Sequence, residues 1–551
     1  MRSIRAAAVI LALAGGVGLG MTATAAVQPG GGPAAAAPTG KARVAMVEIK
    51  GKLVEKPGPL DWLTGGDMTL RTLTTALRQA AGDASLKAIV LRLKDAELTG
   101  TQVQEISAAV AAARAGGKRV VVYSDLYDPG ALMLAAAADE AVIQAGGAVS
   151  LPGLAVQEMY LADALAWAGV KGDFVQIGDY KGASEMMANA KPSRQWDENI
   201  NSLLDGLYAN LRAAFKAGRK MDDAALDKAM ETAWAATDDE AKKVGLIDTI
   251  LDLPDLGKHL AKGLGAESVE WSDDLGKPQG GGKMDAANPF AMLQMLASKP
   301  EHTPKRDTIA VLHIDGAIVD GESGAGGLMG DATVGSRTVR RALSTIEENP
   351  LIKGVVVRID SPGGSAIASE MIWQGLRRVA AKKPVYVSVG SMAASGGYYI
   401  AVAGERIYVN PSSIVGSIGV VGGKLATGGL MEKLKVNVVE RTRGPRASLL
   451  GGMAPWSEAD RRLVRDKMVQ TYELFTKRVS AGRKGIELAR TAEGRLFTGD
   501  RAVELKMADR VAPFDVAAAD LAKSLNLAEG GYDLMDYPGP KSFAELIEEL
   551  L

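Results

Sequence analysis

The chain has 551 residues, 47% hydrophobic and 23% charged, with 64 lysines and arginines against 65 aspartates and glutamates, for a net charge of −1. At roughly 150 residues per unit this length exceeds one ordinary core and predicts two to four domains, and the composition is that of a folded chain rather than a disordered one. The balanced charge, without a long basic run, argues against a nucleic-acid partner, and the absence of cysteine removes disulfides, thiolate metal sites and cysteine nucleophiles together.

In chain order, the first segment places Arg2 and Arg5 before an uncharged apolar stretch that starts at Ala6, with Ala23-Thr24-Ala25 as a small-residue cleavage site. That pattern predicts an export signal or membrane anchor over residues 1–26, followed by a Pro-, Gly- and Ala-rich tether over 27–40. The body of the protein is then expected on the periplasmic side of the inner membrane.

From residue 41 the chain repeats itself. "KAIVLRLK" (87–94) returns as "KGVVVRID" (353–360), and "ALMLAAAADEAVI" (131–143) as "GYYIAVAGERIYV" (397–409), both 266 residues downstream. "VAMVEIKG" (44–51) and "DDEAKKVGLID" (238–248) return as "IAVLHIDG" (309–316) and "GDRAVELKMAD" (499–509) in the same order. This predicts two similar domains, 41–270 and 306–551, joined by a linker over 271–305 where "KPQGGGKMDAANP" interrupts the pattern. In the second half, "TIAVLHIDG", "KGVVVRIDS" and "KPVYVSVGS" read as buried parallel strands. Between the latter two, "SAIASEMIWQGLRRVAA" reads as a helix with Ile367, Met371, Ile372, Leu376 and Val379 on its apolar face.

The chemistry converges on "SMAASGGYYIAVAGERIYV" (391–409). The strand "VYVSVG" is expected to end at Gly390 and a helix to start near Tyr398, which leaves Ser395 at the helix N-terminus with the Gly396 N–H beside it. "DSPGGS" (360–365) ends a neighbouring strand with two glycines, where backbone can approach a ligand closely. In the first half, Ser395 corresponds to Pro129, so that half lacks the nucleophile. A Ser-His-Asp triad would need one of only three histidines. His259 lies in a predicted helix, His302 in a polar connector and His313 inside a strand. The S-x-x-K pattern is absent too, because Tyr398 fills the third position after the serine. A desolvated lysine from elsewhere in the chain remains as the base, and the residues alone do not select it.

Together, "RIDSPGGSAIASE" and "SMAASGGYYIAVAGERIYVNPSSIVGSIGV" resemble the signal peptide peptidase (protease IV) family in its long two-domain bacterial form. The resemblance implies an α/β fold of two tandem Clp/crotonase-like domains with parallel sheets and flanking helices, and a Ser-Lys dyad split between them. By position it implies Ser395 as nucleophile and Lys181, in "VQIGDYKGASE", as general base. Ser417, in "VGSIGV", would hold the lysine amine, and Gly364 and Gly396 would be the oxyanion donors. One departure is Gly182 where the family more usually carries serine. Internal comparison agrees with the division: Lys181 corresponds to Pro445 and Arg446 in the second half, and Ser417 to Leu151 in the first. The resemblance further implies peptide substrates left over from signal-peptide cleavage, and a tetramer; "GGLMGDATVG" (326–335) is a candidate mobile element beside the site. No motif suggests a metal or organic cofactor. Two other readings stay open on the residues alone: a crotonase-type acyl-CoA hydratase or isomerase, against which export argues, and a catalytically silent peptide-binding scaffold.

Overall fold

β-branched runs with few polar interruptions form strands buried on both faces. In the computed structural model, which describes residues 40–58, 68–276, 301–324, 332–541 and 545, the first half contains β1 (Lys41–Lys52), β2 (Leu86–Glu97), β3 (Arg119–Tyr127), β4 (Glu140–Val149), β5 (Lys171–Ile177), β6 (Ala236–Thr237), β7 (Thr249–Ile250) and β8 (Ser268–Ser272). The expected export segment, nearly all of the tether, most of the linker and residues 326–331 of the proposed mobile element lie outside the described residues. No helix among the described residues is long and apolar enough to cross a membrane.

All of these strands except β5 form one sheet in the order β6-β4-β3-β2-β1-β8, with β7 beside β4. Its central pairs are parallel. Alternate residues of β2 serve two cores: Ile89 and Leu91 pack under the helices Leu70–Gly82 and Gly100–Ala115, while Ala88 and Val90 pack under the helix Leu256–Leu264. Because β8 pairs with β1, the first unit reaches at least Ser272, two residues past the expected boundary.

The second half repeats the plan with β9 (Thr308–Asp315), β10 (Ala317–Val319), β11 (Thr333–Gly335), β12 (Ile352–Ser361), β13 (Val385–Ala394), β14 (Arg406–Val409), β15 (Ile414–Gly416), β16 (Val420–Ala426), β17 (Leu496–Thr498), β18 (Arg510–Val511) and β19 (Asp533–Tyr537). Its main sheet runs β17-β15-β13-β12-β9-β19, strand for strand the order of the first, with β14 between β13 and β18. The repeat holds in register. Leu126 pairs with Ala148 and Tyr127 with Val149 in one half, Met392 with Ile414 and Ala393 with Val415 in the other. The helix Ala366–Ala380 forms where its periodicity predicts and buries Ile372, Leu376 and Val379, but Ile367 on its first turn is 69% exposed. That turn directly follows the PGG loop.

Two features lock the halves together. β16 pairs antiparallel with β5 over Lys171–Ile177, an inter-half ribbon. Elsewhere, the Arg358 guanidinium on β12 is buried against Glu55 at 3.0 Å and Glu105 at 2.7 Å, both from the first half. Asn410 donates to the same Glu105 at 2.8 Å.

Candidate active site

β13 continues four residues past Gly390, to Ala394. A register irregularity between Ile359 and Ser361 of β12 lets the pairing resume at Ser361 and Ala393, and β15 pairs with Met392–Ala394 on the other side. Ser395 therefore leaves the strand end directly and caps the helix Gly396–Ala401. Its backbone is forced into a sparsely populated region, φ 52° and ψ −117°, a sharp strand-to-helix turn that lifts a side chain out of the sheet. The turn is secured on both sides. Ser395 N–H donates to Gly416 O at 2.8 Å. The buried Tyr398 hydroxyl donates to Met507 O at 2.9 Å, and the Tyr399 hydroxyl to Glu370 at 2.5 Å. At the same place in the first half, Pro129 is the first residue of a helix capped by Asp128.

The PGG loop abuts this turn. A Cβ added at Gly363 would lie 2.8 Å from Ser395 Cβ and 2.6 Å from Gly396 N, so only glycine permits the approach. The two glycines differ in what they offer. Gly363 is buried and its N–H already donates to Ser361 Oγ at 3.1 Å. Gly364 is exposed, at φ 151°, and is held by a bridge to Ile318. Among the described residues neither Gly364 N–H nor Gly396 N–H has an acceptor. A pair of unsatisfied donors beside a serine is what an oxyanion needs.

Lys181 follows β5 across the inter-half ribbon. It is 4% exposed, and burial takes its pKa from the ordinary 10.5 down to about 7. Its Nζ donates to Ser417 Oγ at 2.8 Å and to Ser417 O at 2.9 Å, and no carboxylate takes part. Ser417 itself sits at φ 54°, its N–H bonded to Arg495 O at 2.7 Å. Two glycines of the second half close around the lysine: a Cβ at Gly419 would stand 3.2 Å from Lys181 Cδ, and one at Gly494 would stand 2.6 Å from Lys181 Cα.

The geometry thus brings Lys181 and Ser417 into direct contact, and Ser395 to the residue preceding Ser417. No hydrogen bond links Lys181 Nζ to Ser395 Oγ in this structure. The three histidines are engaged elsewhere: His259 with Glu140 and His313 with Asp536, each at 2.7 Å, and His302 edge-on to Tyr537. In the second half the segment that corresponds to the lysine turn by the repeat, 441–448, has no strand, and Arg446 is exposed. Gly182 has a local cause, since the Trp196 indole occupies the space a serine Cβ would need. Sequence reasoning missed the loop Glu493–Arg495, which packs on the lysine turn; nothing in its composition marks it.

The sequence profile of peptidase family S49 matches residues 112–267 and 377–528, together more than half of the chain, and that of Clp protease matches 331–415. Protease 4 of Haemophilus influenzae is 27% identical over 466 residues, covering 82% of this chain and 72% of that protein. For Protease 4 of Salmonella typhi the identity is 28% over 519 residues, covering 89% and 79%. The chloroplastic serine protease SPPA of Arabidopsis thaliana is 26% identical over 467 residues, covering 84% of this chain and 66% of that one. Among solved structures, the 1510-N membrane-bound stomatin-specific protease with a substrate peptide aligns over 45% of this chain and all of its own, with 17% identity and a TM-score of 0.27.

Proposed function

Since the chain belongs to peptidase family S49, the signal peptide peptidase family, and is a serine peptidase of two repeated α/β domains, we propose that it hydrolyses peptides with a Ser395–Lys181 dyad shared between its halves. Neutral Lys181 Nζ takes the proton from Ser395 Oγ as the oxygen attacks the peptide carbonyl. The carbonyl oxygen, now an oxyanion, accepts from Gly364 and Gly396 N–H. Collapse breaks the C–N bond, and the lysine ammonium returns the proton to the departing amine. Lys181 then deprotonates a water, which attacks the acyl ester, releases the carboxylate product and restores the serine. Ser417 keeps the amine aimed throughout.

The observation that carries this reading is the lysine: buried, free of carboxylate partners and held by Ser417 across the half boundary. An amine titrating near neutrality matches the pH at which a general base is most effective. Substrates in this reading are extended apolar peptides of the kind signal-peptide cleavage leaves behind, reached from the inner membrane by a chain anchored through residues 1–26. Exposed Ile367 beside the PGG loop supports apolar substrate contact. Assembly as a tetramer is supported by apolar side chains left exposed in both halves, Val156 and Met159 in one and Val438 and Val439 in the other.

The test is hydrolysis of a fluorogenic peptide with an apolar residue before the scissile bond, by full-length protein in detergent, comparing wild type with Ser395→Ala and Lys181→Ala. Both variants are expected to fold, to elute with wild type and to lose turnover. Retained activity in Lys181→Ala would place the base elsewhere and defeat the shared dyad.

A further inference from the structure

The turn that presents Lys181 belongs to the first half, yet a residue of the second half holds two of its successive N–H groups. Asp179 N–H donates to Glu493 Oε2 at 3.3 Å, and Tyr180 N–H donates to Glu493 O at 2.8 Å. The other carboxylate oxygen, Oε1, accepts from the Tyr472 hydroxyl at 2.9 Å, on the helix Glu458–Gly482. Glu493 meets these demands with φ 61°, a left-handed backbone that a glutamate rarely adopts. The two residues that follow complete a jig. Gly494 lies against the Lys181 backbone and its N–H donates to Ile418 O at 2.8 Å. Arg495 stacks its guanidinium on the Tyr180 ring at 4.0 Å, while its carbonyl holds Ser417 N–H. One loop therefore grips both the lysine turn and the serine that receives the lysine amine.

Resting on the dyad reading above, we propose that Glu493 is a positioning residue for Lys181: through the Asp179 and Tyr180 N–H groups it clamps the lysine turn into the second half, aligning the amine with Ser417 and keeping water from it. Tyr472 orients the carboxylate from behind. The charged and titratable groups on and against this turn include Glu493, Tyr472, Arg495, Asp179 and Tyr180, and none of them forms an ion pair with the lysine amine. The role is accordingly one of hydrogen bonding and sealing rather than of charge.

The experiment measures kcat, KM and the pH dependence of kcat/KM for full-length wild type, Glu493→Ala, Glu493→Gln and Tyr472→Phe with the same fluorogenic peptide. Glu493→Ala is expected to lower kcat about tenfold or more with KM within about twofold, and to move the acid limb upward by about one pH unit or more, because hydration favours the protonated amine. Glu493→Gln keeps an acceptor for Asp179 N–H and is expected to restore the wild-type limb. Should Glu493→Ala fail to fold, Tyr472→Phe, which removes only the buttress, is expected to shift the limb the same way by less. A variant that loses thermal stability while its acid limb and kcat stay at wild-type values overturns the proposal, as does a glutamine variant as damaged as the alanine one. An active Lys181→Ala, or a wild type with no acid limb, sinks the dyad itself. A wild-type limb that Glu493→Ala leaves in place sinks only the role given to Glu493.

Discussion

Lowering the pH through 7 should silence this peptidase by protonating one buried amine. Lys181 is 4% exposed and its pKa falls from 10.5 to about 7 through burial. A single titration there leaves roughly one-eleventh of the amine neutral at pH 6 and ten-elevenths at pH 8, so kcat/KM should rise about tenfold between them. Stability must carry the same signature. Between about pH 7 and 10.5 the unfolded chain holds a proton on this lysine that the folded chain has lost, so stability rises with pH in that window. Below it both states are protonated, and the fold bears the full cost of the buried ammonium, an upper limit of about 5 kcal/mol. From pH 7 to 9 wild type should gain about 2 kcal/mol relative to Lys181→Met in urea unfolding. Subtracting that variant also cancels the Asp360 carboxyl, which burial pushes up to about 6. An activity profile flat from pH 6 to 8, with no pH-dependent difference in stability between wild type and Lys181→Met, would refute both the neutral amine and its use as the base.

Three further outcomes follow from contacts already described. Ser417→Ala removes the acceptor 2.8 Å from Lys181 Nζ and should lower kcat about tenfold, the worth of about one hydrogen bond, with KM little changed in steady-state assays. Gly364→Ala would drive its Cβ into Ile318 O at a φ of 151°; displacing one of the two proposed oxyanion donors should reduce kcat by roughly 10²–10³, with peptide binding retained in an inhibitor titration. Arg358→Met strands Glu105, which is 3% exposed, and should destabilise the protein by about 3–5 kcal/mol in thermal or urea unfolding. A loss under about 1 kcal/mol there would mean that the halves do not depend on this buried cluster.

Strand and helix formation was legible because it depends on neighbours in the chain. The runs "KAIVLRLK" and "KGVVVRID" became β2 and β12, and the helix after the PGG loop covers Ala366–Ala380. Errors fell where tertiary contacts override local pattern. β13 was expected to stop at Gly390, but pairing with β15, itself dependent on residues beyond the helix, carries it to Ala394. Ile367 fits the apolar stripe of its helix by spacing and is nevertheless exposed, because periodicity gives a face and not what lies opposite it.

By itself the sequence determined that the chain is a duplicated α/β protein, that cysteine chemistry is closed to it, and that only one half carries a serine after a strand and before "GGYY". Nearest-neighbour conformational preferences and the hydrophobic pattern suffice for that. The lysine was different: 214 residues separate Lys181 from Ser395, and no spacing rule reaches that far, so resemblance alone selected it. Tertiary structure decided the rest. Antiparallel pairing of β5 with β16 carries the lysine across the half boundary, Ser417 and Gly494 enclose it, and the water excluded by that packing gives an ordinary side chain its lowered pKa.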